Sequence, residues 1–183
     1  MGPETGPIDV PTTSATAVTQ CWYGAAVPVG TWVLMAYRLP REPSTPRIAL
    51  WRALRRVGAA QLLDGLVALP ADSRTREQLE WLADTVVEAG GQATIWVAQP
   101  GSVAQERVIA AGMQADVGAE YVRLARDAEE AANSPFATRK RTLGRLRREL
   151  RRVRRRDHFL APQRELANAS VDALARSLEE VAA

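Results

Sequence analysis

Between Thr31 and Pro100 the pattern of apolar and polar positions changes period several times, and each change predicts an element. Thr31 to Leu39 carries Trp32, Val33, Leu34, Met35, Ala36 and Tyr37 without a charge, bounded by Gly30 and Pro40. A run this short and this apolar predicts a strand covered on both faces, central in a small sheet. In the PREPSTP stretch, Pro43 and Pro46 are expected to forbid helix before Arg47. From there the spacing of Ile48, Trp51, Leu54 and Val57 predicts an amphipathic helix with Arg47, Arg52, Arg55 and Arg56 on its outer side. Gly58 ends that helix, and Gln61 to Pro70 returns to strand character around Asp64-Gly65, a two-residue hairpin turn. The next helix has an N-cap offered by Ala71-Asp72-Ser73, a capping box expected between Thr75 and Gln78, and Leu79, Leu82, Ala83 and Val86 along one face. Gly90-Gly91 stops it. Gln92 to Gln99 then alternates Ala93, Ile95 and Val97 against Thr94, Trp96 and Ala98, a last strand ending at Pro100-Gly101.

The order over residues 31–100 is βαββαβ, the ferredoxin-like arrangement. From Ser102 the pattern is helical. One helix runs to about Ala132 with Val117, Tyr121, Leu124 and Ala128 on its seam, and Asn133-Ser134-Pro135 breaks it. A second spans residues 137–158 with Leu143, Leu146, Leu150 and Val153 spaced three, four, three. A third begins near Pro162 and repeats that spacing at Val171, Leu174, Leu178 and Val181. The fold class is therefore α+β: a ferredoxin-like sheet domain followed by a carboxyl-terminal three-helix region over residues 101–183. The matching seams fit a bundle or a helical hairpin packed on the sheet domain, and equally a dimer interface.

Composition narrows the setting. At 183 residues and 46% hydrophobic, the chain suits one globular domain with an appendage. Residues 1–30, rich in Pro, Thr, Gly and Ala, predict a flexible tail whose Cys21-Trp22-Tyr23 packs on the domain. That single cysteine excludes an internal disulfide and any multi-cysteine zinc site, and fits a cytoplasmic location. No apolar run approaches the roughly 18 residues a membrane span needs. With Arg38 the first basic residue, there is no signal-peptide n-region either.

Charge is segregated. The net charge is +3, yet residues 139–156 hold eleven of the 24 basic residues and one of the 21 acidic ones, a local +10 that leaves the remainder at −7. Such an asymmetry points to a polyanionic partner. Almost all of these cations are arginine, whose guanidinium binds phosphate bidentately and stacks on bases. The candidate nucleic-acid-binding residues are Arg139, Lys140, Arg141, Arg145, Arg148, Arg151, Arg152, Arg155 and Arg156, with DNA the expected partner; Arg47, Arg52, Arg55 and Arg56 on the first helix would extend the surface. A solvated face, partly neutralised by Glu106, Glu120, Asp127, Glu129 and Glu130, is the plainer alternative, and an anionic membrane surface a third.

Catalysis has little support. The single histidine, His158, has no second histidine or nearby cysteine with which to share a metal, and is expected to serve as a structural or capping residue. Gly90-Gly91, Gly112 and Gly118 fall in no phosphate-loop spacing. No catalytic residue, metal or cofactor is expected.

The motifs YRLPREPSTPRIALWR and DGLVALP, with QERVIAAG, EYVRL and RRRDHFLAP further along, give residues 30–180 a resemblance to the amino-terminal region of the ChrB chromate-resistance regulators. A weaker likeness links the sheet segment to the ferredoxin-like module of PaaX-type repressors and of small CRISPR-associated nucleases. The ChrB resemblance implies a bacterial cytoplasmic DNA-binding regulator, encoded with a chromate efflux transporter and relieved by chromate. Family members continue into a region associated with chromate sensing, so ending at Ala183 implies a regulator without its own sensor, working as a homodimer or with a separate sensor chain. The nucleases place an acidic metal ligand where this chain has Tyr37-Arg38-Leu39-Pro40, which argues against nuclease activity. For chromate, a tetrahedral dianion, the candidate oxyanion-binding residues are Arg38, Arg41 and Arg47 around the PREPSTPR loop.

Overall fold

The computed structural model describes residues 30–182. The tail expected at the amino terminus, with Cys21-Trp22-Tyr23, lies outside the described residues. Four strands, β1 (Trp32–Arg38), β2 (Ala60–Leu63), β3 (Leu66–Pro70) and β4 (Gln92–Ala98), form one antiparallel sheet in the order β2-β3-β1-β4. Helices α1 (Thr45–Val57) and α2 (Ser73–Glu88) connect them, so the first half of the chain is βαββαβ with interleaved halves. Three helices follow: α3 (Val103–Ala132), α4 (Phe136–Arg156) and α5 (Arg164–Ala182).

Strand β1 is interior, pairing Val33 with Leu69 on one side and Val97 on the other. Its face carrying Val33 and Met35 is shared with Val67 and Leu69 and is buried in a core with Leu50, Leu54, Leu79, Leu82 and Val86 of α1 and α2. The opposite face departs from the expectation of complete cover. Trp32 is buried beneath α3 and Phe159, whose ring centroid lies 5.9 Å away, but Leu34 and Ala36 are half-buried and Trp96 beside them is exposed. Among the described residues, α3 reaches that face at Trp32 and at β2.

Helix α1 corrects two expectations. It starts at Thr45 and takes Pro46 into its first turn, where the missing proline N–H would have had no helical partner anyway. Its buried stripe is Leu50 and Leu54 with Ala53 and Val57 half-buried, whereas Ile48 and Trp51 are 47% and 52% exposed. Both stripes have helical spacing and share Leu54, so periodicity alone does not choose between them; docking on α2 does. Gly58, at φ +74°, closes α1 with its N–H directed at the Arg55 and Leu54 carbonyls. A side chain there would also collide with Arg156, since an added Cβ would stand 2.7 Å from the Arg156 Cβ. In the hairpin turn Gly65 has the positive φ, +77°, and its carbonyl accepts from the Tyr37 N–H. The capping box of α2 joins Asp72 to Thr75 in place of Thr75 to Gln78: Asp72 Oδ1 accepts from the Thr75 N–H at 2.7 Å and Thr75 Oγ1 from the Asp72 N–H at 3.0 Å.

The seams predicted for the last three helices meet one another. Val117, Tyr121, Leu124 and Ala128 of α3, Leu143, Leu146, Leu150 and Val153 of α4, and Val171, Leu174 and Leu178 of α5, joined by Ala167, form a single core cluster, while the side chain of Val181 lies outside the described residues. Each fully buried aliphatic side chain of this kind contributes roughly 1.5–3 kcal/mol. The alternative in which the α4 seam forms a dimer or partner interface is thereby corrected, because α3 and α5 already fill it. Helix α3, 30 residues and about 45 Å long, joins the two cores: Met113 belongs to the sheet core and Val117 onward to the bundle core.

Candidate nucleic-acid interface

Helix α4 is amphipathic to an extreme degree, with one leucine edge and cations around most of the remainder. It spans Phe136–Arg156, starting one residue and ending two residues earlier than the expected 137–158, so Asp157 and His158 lie in the turn beyond it. Arg154, Arg155 and Arg156 in the last turn favour the negative end of the helix dipole. Among the described residues, six of the nine candidates, Lys140, Arg141, Arg148, Arg151, Arg152 and Arg155, are exposed and have no hydrogen-bond or ion-pair partner, and the same is true of Arg147 beside them.

The other three candidates are engaged within the molecule. Arg139 is half-buried and donates from Nη1 to the Ser177 carbonyl at 3.2 Å and to Ser177 Oγ at 3.3 Å. Arg145 is bound by Asp127 at 3.1 Å and Glu149 at 3.2 Å, and its pKa is raised, chiefly by the Asp127 hydrogen bond. Arg156 turns inward, pairing with Glu120 and donating to the Arg55 carbonyl at 3.1 Å. Helical spacing marks these residues as cations without showing which carboxylates other helices bring to them.

The turn after α4 is held by buried polar contacts. Tyr121 donates from its hydroxyl to Asp157 Oδ2 at 3.1 Å, and Asp157 Oδ1 accepts from the Ala161 N–H at 2.9 Å. Burial, with the neighbouring Asp157 carboxylate, raises the Tyr121 pKa. His158 Nε2 lies 3.0 Å from the Val57 carbonyl. A carbonyl only accepts, so Nε2 carries the hydrogen, and His158 with Arg156 covers the carboxyl end of α1.

That contact sets α1 beside α4 and creates a cleft of about 440 Å³. Arg52, Arg55 and Arg56 come to it from α1, Arg123 from α3, and Arg152 and Arg156 from α4. Trp51 lines it too, with the Arg55 guanidinium 5.3 Å from its ring centroid. Sequence reasoning assigned Trp51 to the core and did not single out Arg123. The readable signal for Trp51 was its position among arginines; for Arg123 there was none.

Arg38, Arg41 and Arg47, the candidate oxyanion residues, do converge around a shallow depression of about 610 Å³ beside Gly90 and Gly91. All three are exposed, and the Arg47 guanidinium donates to the Arg41 carbonyl. The first turn of α1 next to them has no side-chain cap and no acidic residue. Among the described residues, no group of three or more His, Cys, Asp or Glu side chains is placed to hold a metal, and no helix is long and apolar enough to cross a membrane.

Residues 47–134 match the family model described as Protein ChrB, N-terminal. That match covers 88 of the 183 residues and makes the segment similar to the ChrB amino-terminal family. Protein ChrB of Cupriavidus metallidurans is 33% identical over 70 residues, which are 38% of this chain and 21% of that protein. The chain thus matches about a fifth of the length of this curated relative. No solved structure matches the chain. The ChrB-matched segment runs from the first turn of α1 to the end of α3, and α4 lies beyond it.

Proposed function

We propose that this protein is a non-enzymatic, cytoplasmic DNA-binding regulator of a chromate-resistance operon, whose hold on DNA is relieved by chromate. The observation that carries the reading is the set of seven exposed, unpartnered cations on α4. A helix that concentrates like charge at i, i+3 and i+4 costs a few tenths of a kcal/mol per pair unless an anion screens it. The likeness to ChrB supplies the setting in which that anion would be operator DNA. Arginines along an exposed helix favour phosphate contacts, which position a protein on DNA and make affinity steeply salt-dependent.

The test is fluorescence anisotropy with the operon's promoter and an unrelated duplex, between 50 and 200 mM salt. The expected result is tighter binding to the promoter, and an affinity that falls by about a factor of 10³ or more over that range if six phosphates are neutralised. Charge reversal at Arg148, Arg151, Arg152 and Arg155 should abolish binding. Equal affinity for both duplexes would reduce the protein to a nonspecific binder, and no binding at low salt would remove the DNA reading. Chromate, with sulfate as control, should release the promoter; Arg38, Arg41 and Arg47 are the proposed oxyanion contacts, and their alanine variants should bind the promoter while ignoring chromate.

The second reading, pairing with a separate sensor polypeptide through the helical region, must use a surface other than the α4 seam. Pull-down with the four-arginine charge-reversal variant separates the two readings, since retained partner capture with lost DNA binding would place them on different surfaces.

A further inference from the structure

Three tryptophans of the described chain, Trp51, Trp81 and Trp96, are exposed, but their surroundings differ. Trp81 on α2 has Glu77 and Asp84 at helical neighbour positions, and Trp96 lies on the uncharged strand β4. Trp51 alone borders the arginine cleft. Its indole has the Arg55 guanidinium 5.3 Å from the ring centroid and is 52% exposed, and that exposed surface is what a planar ligand would stack on.

The charge of the cleft favours one kind of occupant. Six guanidinium groups face two carboxylates, Glu120 and Glu149, and both carboxylates are already paired, with Arg156 and Arg145 respectively. Arg52, Arg56 and Arg152 have no partner among the described residues. A positive concavity with an aromatic wall suits a ligand that is anionic at one end and flat at the other. Size then separates paired from unpaired nucleic acid. A B-form duplex, with a major groove about 12 Å wide that itself accepts helices, meets convex surfaces such as α4. A cleft of about 440 Å³ lies in the range of roughly 300–1,000 Å³ that encloses a small-molecule-sized group, and one nucleotide is such a group.

We propose that the α1–α4 cleft takes an unpaired nucleotide of a DNA strand, with its base stacked on Trp51 and its phosphates at Arg52, Arg56 and Arg152. The inference rests on the DNA-binding reading and deepens it: the outer arginines of α4 hold the backbone, and the cleft receives a base that has left the stack. Aromatic stacking joined to a cationic groove is the general means by which proteins hold single strands.

The experiment compares a fluorescein-labelled oligothymidine with a duplex of equal length by anisotropy, using the full chain and the variants Trp51→Ala, Trp51→Tyr and Trp81→Ala. Trp51→Ala is expected to weaken single-strand binding about 5- to 100-fold, the loss of one base stack, and to change duplex affinity less than about twofold. Trp51→Tyr should restore most of the loss and Trp81→Ala should change neither affinity. Circular dichroism checks that the variants fold, which the exposure of both indoles favours. Equal single-strand affinity of wild type and Trp51→Ala, or equal losses on single strand and duplex, would overturn the inference while leaving the DNA reading intact. Wild-type protein that binds duplex but no single strand would overturn it too. Failure of wild type to bind either would instead strike the DNA reading beneath it.

Discussion

Arg156 shows how one side chain can be assigned to the wrong task by its neighbours in sequence. It sits among the exposed arginines of α4, yet its guanidinium joins Glu120 of α3 to the Arg55 carbonyl at the end of α1. Arg156→Ala is expected to lower the urea unfolding free energy by about 1–3 kcal/mol, because it removes the nearer of the two ion-pair partners of the half-buried Glu120 and uncaps a helix end. Arg156→Lys should recover only part of this, since a single ammonium cannot reproduce a planar fork. Asp72 offers a pH-resolved case. Burial pushes its pKa up, but the hydrogen bonds from Thr75 outweigh that push and leave the carboxyl below its usual range. A depressed carboxylate stabilises the fold above its ordinary value of about 3.9 and loses that contribution as pH falls through its own lower value. Asp72→Ala should therefore cost about 1 kcal/mol at neutral pH, and the gap from wild type should close in acid, as followed by thermal melts across pH.

Helix α4 is an element whose stability and proposed use oppose each other. Its leucine edge is anchored: Leu146 is fully buried, so Leu146→Ala should cost about 2–5 kcal/mol and take DNA binding down with the helix. Its outer surface is strained by repulsion among Arg148, Arg151, Arg152 and Arg155 at i+3 and i+4 spacings. Replacing these four by glutamine should raise the low-salt melting temperature by about 2–4 °C, equivalent to about 1 kcal/mol for a chain of this size. The gain should fade as salt screens the charges, and DNA affinity should collapse in the same variant. A melting temperature that falls at low salt would mean these arginines contribute to folding. Helix α1 shows the converse economy of sequence, since one stripe docks on the sheet domain and the other, with Trp51, reaches the cleft.

At the scale of the whole molecule, Glu106 fastens the start of the sheet to the start of α3. It is only 5% exposed, and its Oε1 accepts from the Gly30 N–H at 2.7 Å and from Trp32 Nε1 at 3.0 Å. Glu106→Ala should cost about 1–3 kcal/mol by leaving those donors unsatisfied. Faster amide exchange in β1 with an unchanged salt dependence of DNA binding would mark it as a structural tie between the two cores. Much of this architecture was legible beforehand, for definite reasons. Alternation and helical spacing are local, so Thr31 to Leu39, the Gly58 and Gly90 stops and the three seams reported strand, helix and boundary wherever the signal was strong. Pro46 and the Ile48/Trp51 stripe were misjudged because a first-turn proline and a helix with two apolar stripes each admit two local solutions. The candidate site was legible only as charge. The amino-acid order by itself determined that α4 would be a cationic rod with one apolar edge, because both properties are repeats along a single helix. Only the tertiary structure decided that Asp127 and Glu120 claim two of its arginines, that seven cations stay outward and unpaired, and that Trp51 and Arg152 line one cleft. Those pairings join residues far apart in the chain, and a periodicity within one helix holds no information about what another helix brings to it.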